Sequence, residues 1–175
     1  ALRLPGASAA AARANAALAR RGEALEAAGQ RVRKAAYTVQ HQAWSKAKVP
    51  NAPARLAAVK RAAGYHPEAA DRQHVVMAVA DTGRRGGGSP VVARSVAVAA
   101  LSIAGQDSAA RALMDEPRSR QCLRMAKLNF HQCLAAAGTH YEDIYCLGLH
   151  AMADPGQCVV EATRPQRSAR RASLD

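Results

Sequence analysis

The chain has 175 residues, 49% hydrophobic but only 3% aromatic, and 25 lysines and arginines against 13 acids leave a net charge of +12. That length suits one domain with a core of ordinary size, and the scarcity of large rings calls for closely packed helices with a core of Ala, Val and Leu. The longest apolar run, Val91 to Ala104, is broken by Arg94 and too short for a bilayer of about 30 Å, which excludes a transmembrane segment. The charge favours anionic partners without naming one. Lysine occurs only at positions 34, 46, 48, 60 and 127. The arginine excess suits phosphate and carboxylate, although a GC-rich genome, which also inflates alanine, is the preferred explanation.

Residues 1–48 carry nine basic residues and two acids, Glu23 and Glu26, in an alanine-rich background. Ser8 is placed to cap a helix running through Arg20. A second helix is expected from Glu23 to about Lys46, with Leu25, Val32, Val39 and Trp44 as its larger apolar side chains. The spacing is ragged, so this region reads as helical or partly loose, above all over residues 1–20. The chain starts at Ala1 with no leader pattern, as expected if a leader has been removed or the chain trimmed.

Val-Pro-Asn-Ala-Pro at 49–53 is a break. Pro53 then occupies a first turn and Gly64 a helix end, predicting a short helix with Leu56 and Val59 on one side. Another helix is expected from Pro67 to Ala80, with Glu68 and Asp71 in its first turn, followed by a mobile loop from Thr82 to Gly88. Ser89, Pro90 and Gly105 punctuate a helix over 91–104 that is apolar around nearly its whole circumference, which predicts the central core helix. Asp107 to Met114 reads as a short helix stopped by Pro117. Residues 164–175 hold four arginines and no apolar periodicity, the composition of a disordered basic tail.

The four cysteines, Cys122, Cys133, Cys146 and Cys158, flank a break at Gly138 and Thr139. Leu123, Ala126, Phe130, Leu134 and Ala137 step by three and four, predicting a helix from Ser119 to Ala137. Thr139 with Glu142 forms a capping box that starts a second helix at His140, expected to run to about Ala153 and stop at Pro155. A two-residue break makes the pair an antiparallel hairpin over 119–158. Cys122 and Cys133 then lie about 16 Å apart along one helix, too far for a bridge whose Cα atoms must approach within about 7 Å. Pairing Cys122 with Cys146 leaves a depth mismatch of about 10 Å. The preferred pattern is Cys133–Cys146 nested inside Cys122–Cys158. Two bridges imply an oxidising compartment, periplasmic or secreted, with the mitochondrial intermembrane space as a minor alternative.

A metal site is the rival reading, with His131, His140 and His150 in the same segment. The cysteines lack the close spacing of a zinc knuckle, so neither metal nor cofactor is expected. The layout resembles the paired-helix proteins with twin cysteine motifs of the mitochondrial intermembrane space. Those have nine residues between the cysteines of each helix, whereas here ten and eleven intervene, and Pro155 and Gly156 interrupt the second interval. The resemblance is one of hairpin geometry.

The densest polar cluster contains His140, Glu142 and Asp143. A histidine beside a carboxylate can act as a general base with its orienter, yet a cap for Glu142 and a helix first turn for Asp143 explain both acids and are the preferred reading. His150 and Asp154, four apart, are either ligands or simply a histidine near a helix end, and the second reading is preferred. The glycines at 86–88 lack the lysine and hydroxyl of a phosphate loop. Candidate anion contacts are Arg20, Arg21, Arg31, Arg33 and Lys34 near the start, Arg84 and Arg85 in the glycine loop, and Arg167, Arg170 and Arg171 in the tail.

The resulting expectation is an all-α, single-domain bundle of about six or seven helices, ending in a disulfide-clamped antiparallel helical hairpin. Its regions are 1–48, a helical core over 49–163 and a tail over 164–175. The expected role is that of a non-catalytic exported binding or assembly protein of the cell envelope, or a subunit of a larger complex. Its expected partner is a protein or an acidic envelope polymer, with nucleic acid or an anionic membrane surface as options. The alternatives are a small secreted hydrolase using His140, Glu142 and Asp143, and an Arg-rich nucleic-acid-binding module. Scarce aromatics weigh against single-strand recognition.

Overall fold

Alanine-rich sequence with proline and glycine punctuation produces helices over most of the described residues. The structure, a computed structural model, describes residues 6–64, 90–114 and 117–164. It contains α1 (Ala7–Val39), a 3-10 turn (Trp44–Lys46), α2 (Ala52–Ala63), α3 (Pro90–Ile103), α4 (Asp107–Met114) and α5 (Pro117–Ala136). The chain then continues through α6 (His140–Cys146), a π-helical stretch (Leu147–Ala153) and α7 (Asp154–Thr163). Among the described residues the β-type pairing is an isolated bridge between Lys48 and Thr139. The all-α class expected from composition is the one observed. The Pro67–Ala80 helix, the 82–88 loop and the tail from 165 onward lie outside the described residues.

Contacts gather the chain into two compact units, one holding Leu18–His66 and Arg118–Glu161, the other Ala1–Ala17, Pro67–Pro117 and Ala162–Asp175. The first contains the cysteine hairpin, and both bridges have the nested pattern: Cys122–Cys158 and Cys133–Cys146, with Cα separations of 5.7 and 5.6 Å. The hairpin break is strapped by the 47–49 segment, where the Val49 amide donates to the Gly138 carbonyl and the His140 amide to the Ala47 carbonyl. Ser45, fully buried, closes the end of α1 by sharing its single hydroxyl proton between the Val39 and Gln42 carbonyls.

Two sequence expectations about this unit are corrected. The first concerns α1, which runs unbroken from Ala7 to Val39 instead of splitting near residue 22 and extending to Lys46. Gly22 and Gly29 are buried where α1 meets the second helical arm of the hairpin. A methyl on Gly29 would collide with the Ala153 nitrogen and lie 2.5 Å from the Gly148 carbonyl oxygen. One on Gly156 would lie 2.5 Å from the Glu26 nitrogen. The two backbones therefore touch, and glycine supplies the close approach that a core poor in large side chains needs.

The second correction is that the helix from His140 does not stop at Pro155. The Asp154 amide bonds five residues back, to the Leu149 carbonyl. This wider turn accommodates the Pro155 ring, which in a regular α-helix meets the carbonyl four residues behind it. It also solves a register problem. Cys122 and Cys133 are eleven positions apart but Cys146 and Cys158 twelve, and one extra α-helical residue would rotate Cys158 by about 100° off the bridging face. The π stretch absorbs that residue. It likewise matches the eight-position interval Gly148–Gly156 to the seven-position interval Gly22–Gly29.

In the other unit α3 packs against α4. Gly105, at φ +71°, ends α3 as its position in the sequence predicts. Val92 and Ala110 are buried, but Ile103 is 89% exposed. The expectation that 91–104 forms the central core helix is therefore corrected: mean apolarity is high, yet several of its positions face outward. Asn15, in the same unit, donates its side-chain amide to the Thr163 carbonyl at the end of α7.

Candidate functional site

The residues singled out as a possible catalytic cluster stand in the first turn of α6, and both acids are engaged by structural partners. Thr139 is extended, as an N-cap must be. One Glu142 oxygen, Oε2, accepts from the Gly138 amide at 2.6 Å, the Thr139 amide at 2.9 Å and the Thr139 hydroxyl at 3.0 Å. The Gly138 amide, more than any other contact, holds the Glu142 carboxyl below the usual carboxylate range. The predicted capping box is made.

Asp143 meets Arg55 of α2 in a two-pronged pair, Nη1 to Oδ1 at 2.6 Å and Nη2 to Oδ2 at 2.7 Å. The same guanidinium donates to the Leu134 carbonyl at 2.9 Å, satisfying an acceptor in the last turn of α5. Hydrogen bonding to Asp143 raises the Arg55 pKa above its ordinary value. Arg55 thus ties three helices together near the hairpin break, a role no local pattern signals because its partners lie 79 and 88 positions away.

The remaining histidines of the hairpin are also placed. His150 Nδ1 lies 2.8 Å from Asp154 Oδ2, a pairing within one helical turn. His131 stacks at a tilt beside Phe130, and Cys133, two positions further on, is bridged to Cys146. Among the described residues no group of three or more His, Cys, Asp or Glu side chains is arranged to hold a metal ion.

Of the candidate anion contacts, Arg20, Arg21, Arg31 and Lys34 are exposed on α1. Arg20 and Arg31 are three turns apart and Lys34 a turn further, so these three share a face. Arg33 differs: it is partly buried, with its Nε enclosed and lacking a hydrogen-bond partner. Arg84, Arg85, Arg167, Arg170 and Arg171 lie outside the described residues.

The sequence did not announce a cleft of about 320 Å³ between α1 and the hairpin. Tyr141 and Tyr145, four apart on α6, share a face, and Tyr37 of α1 meets Tyr145 edge to face, with ring centroids 6.0 Å apart and planes at 81°. The Cys133–Cys146 bridge lines the cleft together with Ala36, Ala136 and Ala137, and Glu142 contributes the charged group. The chain has only four tyrosines, and three of them converge here. Tyr141 and Tyr145 could have been paired from their spacing; Tyr37 could not.

Comparison with known protein families, curated proteins and solved structures returns no match. The class that fold and site define is therefore a disulfide-braced, all-α protein with a basic helix face and an aromatic cleft. No helix among the described residues is long and apolar enough to cross a membrane.

Proposed function

We propose that this chain is a non-catalytic binding or assembly component of an oxidising compartment, exported to the cell envelope or outside it, and that it contacts an acidic partner through the exposed face of α1. The carrying observation is the engagement of the hairpin's acids: Glu142 completes a cap and Asp143 is clamped by Arg55. Those contacts favour a structural role for the cluster over that of a general base and its orienter. The two bridges support the compartment, because such pairs persist where thiols are not kept reduced. Arg20, Arg31 and Lys34 on one face, in a chain of net charge +12, support the anionic partner.

The test is co-isolation from an envelope extract with the oxidised protein as bait, at low and high salt, beside a variant carrying Arg20→Gln, Arg31→Gln and Lys34→Gln. A defined acidic partner should be retained at low salt, released at high salt and lost with the variant. Hydrolysis of an ester, amide or glycoside that disappears in His140→Ala would overturn this reading in favour of the hydrolase. Steeply salt-dependent retention of DNA or RNA would do so in favour of the nucleic-acid module.

A further inference from the structure

We propose that the cleft formed by Tyr37, Tyr141 and Tyr145 binds a small organic cation, specifically one bearing a quaternary ammonium group. The site adjoins the acidic-partner face, since Lys34 lies one helical turn before Tyr37 on α1. Its argument starts from the walls. An aromatic face carries negative quadrupole density and attracts a cation placed within about 6 Å of the ring centroid, most strongly when water is excluded. Tyr37 and Tyr145 stand nearly perpendicular, at 81°, so they offer two differently oriented walls, and Tyr141 stands one turn from Tyr145. The rings are positioned by a rigid frame, since Cys146 follows Tyr145 and is bridged to Cys133 across the hairpin.

The lining also selects the kind of cation. Apart from the tyrosine hydroxyls, alanines and a disulfide surround the space, and the charged group is the single Glu142 carboxylate. A primary ammonium brings three donors that need acceptors, whereas a trimethylammonium brings none and loses little on desolvation. The Gly138 and Thr139 hydrogen bonds hold Glu142 Oε2 at the hairpin break and favour the ionised form, so this lining residue carries a negative charge at the edge of the cleft. At about 320 Å³ the cleft lies near the lower end of the roughly 300–1,000 Å³ of small-molecule sites. It has room for a head group but not for a long chain. The net charge of +12 repels cations at long range, so affinity must arise from contacts inside the cleft, and added salt should not weaken it.

The experiment titrates the oxidised protein with choline and, separately, with its neutral carbon isostere, in which a tert-butyl group replaces trimethylammonium, reading tyrosine fluorescence and ring-proton shifts. Choline should bind saturably at roughly millimolar concentration and about tenfold more tightly than the isostere. Tyr37→Leu and Tyr141→Leu, which keep an apolar wall but remove the ring, should each weaken choline about three- to tenfold. Glu142→Gln keeps a capping side chain and should weaken choline several-fold with helical circular dichroism unchanged. If a leucine variant does not fold, the isostere comparison and Glu142→Gln decide. Co-sedimentation with phosphatidylcholine vesicles would assign the cation to a lipid head group, and choline binding without it to a free metabolite. Equal binding of the isostere, absence of saturable choline binding, or unchanged affinity in folded leucine variants would overturn the proposal.

Discussion

The hairpin unit and the α3–α4 pair reach stability by different routes from similar raw material. α3 has the more continuous apolar sequence, yet its end residue Ile103 is 89% exposed. The hairpin and the length of α1 beside it are less apolar, but two disulfides tie the hairpin helices to each other, the Arg55 clasp fixes them to α2, and four glycines let α1 touch the hairpin backbone to backbone. In a chain with so few large side chains, close approach and cross-linking matter more than mean apolarity. Small residues let helices come near enough for dispersion to accumulate over many weak contacts.

Removing the outer bridge should disturb that contrast most. The outer bridge closes 36 positions and the inner one 13, so Cys122→Ala with Cys158→Ala should cost about 4 kcal/mol and Cys133→Ala with Cys146→Ala about 3 kcal/mol. Non-reducing urea denaturation measures both, and a larger loss from the inner pair would show that strain or residual structure outweighs loop length. Next comes Gly29→Ala, where the added methyl has no room between Ala153 and Gly148. It should cost about 3 kcal/mol despite a gain of about 1 kcal/mol in helix propensity, whereas stabilisation in a thermal melt would contradict the backbone contact.

Glu142 gives a smaller effect with a definite pH dependence. Its folded pKa lies below the unfolded one, chiefly through the Gly138 amide, so its contribution is complete above the ordinary carboxylate range and fades as pH falls through the folded value. The stability gap between wild type and Glu142→Gln should be about 1 kcal/mol near neutrality and shrink on acidification. Denaturation midpoints across the acid range measure it; a gap that widens in acid would reverse the assignment. Ile103→Ser on α3 should change stability by less than about 0.5 kcal/mol, and a larger loss would restore that helix to the core.

Much of the hairpin was legible because helix rise and a two-residue break convert cysteine positions into depths, and a capping box marks its own site. The same rules misplaced the end of its second helix. Pro155 is a stop signal for an α-helix, but the π turn before it supplies the missing room and shifts the register by one residue. The break expected near residue 22 failed for a related reason: Gly22 and Gly29 serve contact with another helix, and local pattern does not distinguish that from flexibility. Glu142 and Asp143 were readable as a cap and a first-turn acid, while Arg55 was silent.

The sequence by itself determined the helical class, the hairpin and the nesting of its bridges, because those follow from short-range geometry and from the few distances a disulfide permits. Tertiary structure alone decided that Arg55 clasps Asp143, that glycines on α1 meet glycines on the π stretch and α7, and that Tyr37 joins Tyr141 and Tyr145 in one cleft. These contacts bring together residues far apart in the chain, where neither periodicity nor propensity encodes which faces will meet.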